Sequence, residues 1–151
     1  TYKEYIFIFN NIHPSASSHL TFQGSTDSGS NYNTAITSTF FQAEVSESGS
    51  NDALGYQTSN DLAQGTGFQR LFSSVSTTAD DSGSGYLHLF DPSSTTFVKH
   101  FIAVSNNVAS AYTQNSFVAG YFNTTSAIDA IQFKMSTGNI DAGTIAMYGV
   151  S

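Results

Sequence analysis

Apolar side chains recur at every second position over most of the chain. Tyr5, Phe7 and Phe9 interleave with Ile6 and Ile8, and Ile12 closes this run before His13-Pro14. Leu20 and Phe22 alternate with Thr21 and Gln23, and similar runs occupy 36–41, 68–75, 86–90, 96–104, 117–122, 128–135 and 144–150. β-Branched and aromatic residues fill them, so about nine strands are predicted. One helical turn is expected at 59–64, where Ser59 or Asn60 can cap Asp61-Leu62-Ala63.

The punctuation between runs agrees with this reading. Asp27-Ser28-Gly29-Ser30, Glu47-Ser48-Gly49-Ser50 and Asp81-Ser82-Gly83-Ser84 repeat one acidic-Ser-Gly-Ser cassette, and Asp91-Pro92 and Thr137-Gly138-Asn139 mark further turns. In such turns glycine supplies positive φ while a carboxylate or hydroxyl accepts a backbone N–H. Many short strands with Gly- and Ser-rich turns predict an all-β fold, an antiparallel, jelly-roll-like β-sandwich. At 151 residues the chain has the length of one domain, spanning 1–151.

Two runs do not suit a sandwich with one wet face per sheet. Residues 5–9 and 97–104 are apolar at both parities, and a strand apolar on both sides must be covered on both sides. A subunit interface is expected there, through Tyr5, Phe7, Phe9, Phe97, Lys99 and Phe101; a loop or the short helical turn lying over the outer face is the competing explanation. Self-association, as a trimer, is the expected consequence.

Composition narrows the possible partners. The formal net charge is −7, with four Lys and Arg against eleven Asp and Glu. No two of Lys3, Arg70, Lys99 and Lys134 are neighbours, so counterion release on a phosphate backbone has no basis and no nucleic-acid partner is expected. An anionic membrane surface is disfavoured for the same reason. The chain has no cysteine, which removes disulfides and thiolate metal sites. Aromatic residues reach 14% without a tryptophan, and charged residues only 10%. Low charge with many hydroxyls is usual for β-proteins that work outside the cytoplasm or in assemblies.

No constellation carries catalysis. A Gly-x-Ser-x-Gly elbow between strand and helix is missing, and Gly83-Ser84-Gly85 lies in a turn cassette. His88 and His100 are expected to face each other across a hairpin centred on Ser94, without a third ligand at metal-binding spacing. Asp80-Asp81 and Asp27 sit among oxygen-rich turns but depart from the EF-hand pattern. Neither cofactor nor metal is expected. Tyr32, Tyr56 and Tyr112, each in a loop-like segment beside Asn or Gln, are candidates for stacking on a sugar.

Several phrases carry a resemblance. They are Ile12-His13-Pro14, the stretch 87–102 around Asp91-Pro92-Ser93-Ser94, Gly120-Tyr121-Phe122-Asn123-Thr124-Thr125, and Gly138-Asn139-Ile140-Asp141-Ala142-Gly143 with Tyr148-Gly149. Together they resemble a widespread group of uncharacterised virion proteins of marine tailed phages, including cyanophages, over nearly the whole chain. The resemblance implies a non-enzymatic component of the virion surface, a head decoration, head fibre or tail part, whose partners are itself and other virion proteins. It transfers no catalytic residue. Members of the group carry an upstream segment ending in another strand, which implies that residues 1–151 are the ordered part of a longer product. A carbohydrate-binding or receptor-binding adhesin, contacting a host-surface glycan, is the alternative.

Overall fold

The computed structural model describes residues 2–151, which form ten strands and no helix. They are β1 (Glu4–Pro14), β2 (Leu20–Ser25), β3 (Ile36–Ser46), β4 (Asp52–Tyr56), β5 (Gln69–Arg70), β6 (Gly83–Phe90), β7 (Lys99–Ala109), β8 (Tyr112–Phe122), β9 (Ala130–Met135) and β10 (Ile140–Val150). Two antiparallel sheets result. The larger has the order β10-β1-β6-β7-β8-β3-β4, and the smaller the order β5-β2-β9. This is the expected β-sandwich, with very unequal layers.

The core lies between the sheets. Alternation along β1 sends Tyr5, Phe7 and Phe9 inward, while β7 contributes Phe101 and Ala103 and β8 contributes Val118 and Phe122. From the small sheet, Phe22 enters edge-on, with its ring centroid 4.9 Å from Phe101 and 5.9 Å from Phe122. Such T-shaped pairs match the positive edge of one ring to the negative face of the next. Gly120 makes room for Phe101, whose Cζ lies only 2.8 Å from where a Cβ at position 120 would stand. β2 is buried on both faces because the segment before β5 covers its outer side. There Gln23 Nε2 donates to the carbonyls of Thr34, Thr66 and Gly67.

Five of the six expected interface residues belong to this core. Phe7, Phe9, Lys99 and Phe101 are buried and Tyr5 is packed against them, whereas Phe97, in the loop before β7, is 71% exposed. The physical reason is parity. Both sides of these strands are apolar, and the small sheet covers the Phe7/Phe101 side, leaving the Ile6/Ile102 side outward. Lys99 is buried with its Nζ donating to the carbonyl oxygens of Phe97 and Thr124, each at 3.0 Å. Burial lowers its pKa, against the opposing pull of Asp91.

Two other expectations are corrected, and one strand is added to those expected. Residues 59–64 form no helix; Asn60 N–H closes a turn onto Gln57, and Asn60 is held by Gln69 and Arg70. The β6–β7 hairpin pairs Leu89 with Phe101 and His88 with Ile102. Its centre is therefore one residue beyond Ser94, and His88 and His100 sit diagonally on one face. β4, an edge strand whose Leu54 and Tyr56 are exposed, lacks the buried positions that would announce it.

Candidate functional site

The outer face of the seven-stranded sheet is the dominant surface feature. Strand parity places Ile6 and Ile8 of β1, Tyr86 and His88 of β6, and Ile102 and Val104 of β7 on it. Phe117 and Ala119 of β8, and Thr39 and Phe41 of β3, continue it towards the β4 edge. Of the twelve exposed large apolar side chains among the described residues, nine lie here; only Tyr2, Phe97 and Met147 lie elsewhere. Isolated exposed apolar residues are ordinary, but a contiguous face of them marks an interaction surface.

The cross-strand register orders this face into rungs. One runs Tyr148–Ile6–His88–Ile102–Ala119–Thr39, and the next Ala146–Ile8–Tyr86–Val104–Phe117–Phe41. Above the first lies Val150–Glu4–Phe90, continued by His100–Tyr121–Thr37. Below the second lie Thr144–Asn10 and Ser84–Asn106–Asn115–Ala43. These four rungs hold one of the eleven acids, Glu4, and none of the four lysines and arginines. Glu4 is itself hydrogen-bonded to His88 Nδ1.

The face has relief as well as chemistry. Phe41 and Phe117 stack with centroids 4.8 Å apart and planes 7° from parallel, forming a ridge. Beside it, the small side chain of Ala119 leaves a hollow of about 450 Å³ bounded by Thr39, Ile102, His100 and Tyr121. A second hollow of about 160 Å³ lies between Ala119 and the ridge.

The three candidate sugar-stacking tyrosines are not brought together. Tyr32 is in the loop before β3, its hydroxyl near Gly29; Tyr56 ends β4 and donates to Asp61 Oδ2 at 2.5 Å. Tyr112 opens β8 and lines a polar groove of about 530 Å³ with Glu44, Asn51, Asp52 and Gln114. Glu44 Oε2 accepts from Gln42 and from Gln114. This groove unites residues that are far apart in sequence, so only Tyr112 could be picked from spacing.

The titratable groups outside the face do structural work. His13 Nδ1 pairs with Asp141 Oδ1 at 2.7 Å, which raises its pKa, and its Nε2 meets the Thr78 carbonyl. Neither His13 nor His88 has a serine or threonine hydroxyl among its hydrogen-bond partners. The Asp27 carboxylate takes the Asn31 side chain and N–H and the Ser25 hydroxyl, which hold its pKa down at about 2. Asp81 Oδ2 accepts from Ser76 Oγ and Ser110 N–H. Among the described residues no three His, Asp or Glu side chains converge as metal ligands.

No protein-family model, curated protein or solved structure matches the chain.

Proposed function

We propose that the chain is a non-catalytic structural protein of a virion surface, of the tailed-phage kind its phrases resemble, and that it works by assembling with copies of itself and with other particle proteins. The observation that supports this most is the outer face of the large sheet. Six strands, β10 to β3, about 4.8 Å apart and four same-face rungs about 6.8 Å apart span on the order of 800 Å², and standard specific interfaces bury about that area per partner. A protein carrying −7 repels its own copies over most of its surface. This face is nearly free of charge, so a second copy can approach it. Apolar docking leaves the Ser-, Thr- and Asn-rich turns outward, as a displayed component requires. Cryo-electron microscopy of particles whose proteins include this chain tests the reading. Density for the sandwich repeated on the head or tail supports it, and absence of the chain from purified particles removes it.

The Tyr112 groove favours a second reading, a glycan-binding adhesin. An aromatic face beside two amides and two carboxylates offers both stacking and hydroxyl recognition. Glycan-array binding that is lost in Tyr112→Ala supports it; an array without signal for the wild-type protein counts against it.

A further inference from the structure

We infer that two copies of this chain stack face to face on the seven-stranded sheet, about a two-fold axis that lies in the interface and crosses the strands between the Ile6/Ile102 rung and the Ile8/Val104 rung. The inference rests on the self-association reading above and specifies its geometry.

An isologous contact must be complementary to itself, because each residue i that meets j also meets it the other way round. An axis across the strands leaves each strand opposite its own counterpart and exchanges the two central rungs. Ala119 of one copy then faces Phe117 of the other, Thr39 faces Phe41, and Tyr148 faces Ala146. In each of these columns a large side chain meets a small one. The stacked Phe41–Phe117 ridge enters the hollow over Ala119, and the reverse contact occurs on the other side of the axis. In the middle columns Ile102 meets Val104 and Ile6 meets Ile8, which keeps the centre aliphatic.

The outer rungs are exchanged by the same axis and also match. Phe90 is brought to Ser84, Tyr121 to Asn115, and Glu4 to Asn10. The face's one carboxylate therefore meets an amide rather than its own copy. An axis running along the strands lacks this property, because it keeps each rung at its own level and sets the aromatic rung against itself. Facing sheets pack about 10 Å apart with strands turned by about 30°, a rotation the in-plane axis accommodates by lying oblique to the strands.

The test is sedimentation velocity on the full chain at micromolar concentration and across a hundredfold dilution, with circular dichroism as the check on folding. A dimer is expected. Ile102→Glu, which places an acid at the centre of each face, should give a folded monomer. Ala119→Phe fills the hollow that receives Phe117 and should weaken the dimer. Adding Phe117→Ala to Ala119→Phe restores one large and one small residue in that column, and should recover the dimer. A wild-type monomer throughout overturns both the stacking and the self-association reading. An oligomer that survives both Ile102→Glu and Ala119→Phe, or a trimer, overturns the stacking while self-association stands. Failure of the double variant to recover, with its fold intact, overturns the rung exchange.

Discussion

Asp81 Oδ2 accepts the backbone N–H of Ser110 at 2.8 Å, pinning the two-residue turn between β7 and β8 from the segment that enters β6. Asp81 is 3% exposed and Ser110 has φ 58°, a left-handed conformation that the turn requires. Asp81→Ala should lower stability by about 1.5–3 kcal/mol, since the carboxylate that accepts from Ser76 and Ser110 is lost and its part-buried hydrogen bonds go with it. Ser110→Gly should stay neutral or stabilise by up to about 1 kcal/mol. Urea denaturation midpoints of the two variants decide this.

Phe101 is 1% exposed between Phe22 and Phe122, whereas Phe97 is 71% exposed four residues earlier. Phe101→Ala should cost about 3–5 kcal/mol through lost burial and a cavity. Phe97→Ala, and Ser48→Ala in an exposed turn, should remain within about 0.5 kcal/mol. Equal midpoints for the Phe101 and Phe97 variants would contradict the assignment of core and surface.

Lys99 illustrates a substitution whose effect changes once its surroundings are known. On an interface, Lys99→Glu would weaken only assembly. Buried, with its Nζ on the Phe97 and Thr124 carbonyls, the position cannot accept a carboxylate without setting it against two acceptors. The variant should lose about 3–5 kcal/mol or fail to fold. Lys99→Met, which keeps the stem and drops the charge, should cost much less. Thermal melting of both separates the cases.

His19, ahead of β2, is half-buried and lies near Arg70; burial first and the guanidinium second push its pKa down to about 4. In the unfolded chain it titrates near its ordinary 6.5. Between these values the unfolded state holds a proton that the folded state refuses, so stability falls as pH drops. The loss should begin below about pH 6.5 and be complete by about pH 4. His19→Gln should flatten the melting temperature over that window, leaving other acids to set the remaining slope.

The strand pattern was legible because a period of two shows through wherever one parity is buried, as in 36–41 and 117–122. Parity choice was not legible in β1 and β7. Phe7 and Ile8 are equally apolar, and only the position of the small sheet decides that Phe7 is 7% and Ile8 38% exposed. The same two-sided apolarity did disclose that the side left outward would be apolar too, as Ile8 and Ile102 are. β4 and the Tyr112 groove escaped because neither has a local pattern: Asn51 and Gln114 meet only through the β3–β4 and β3–β8 pairings. The turn at 59–64 followed helix-capping chemistry, but Asn60 and Leu62 are claimed by Gln69, Arg70 and Ser38 from outside the segment.

The place of β1 between β6 and β10 determines how this chain must fold. Glu4 pairs with Val150 on one side and with Phe90 on the other, so neither partner is available until most of the chain exists. Pairings of such long sequence separation incur their loop-closure entropy first, which makes folding slow, in the millisecond-to-second range of comparable β-proteins. Until then Tyr5-Ile6-Phe7-Ile8-Phe9, a segment without charge, glycine or proline, waits with both faces open. Such a segment is a template for pairing with other chains. Yield of the native protein is therefore a kinetic competition, won by low concentration during folding rather than by added stability afterwards.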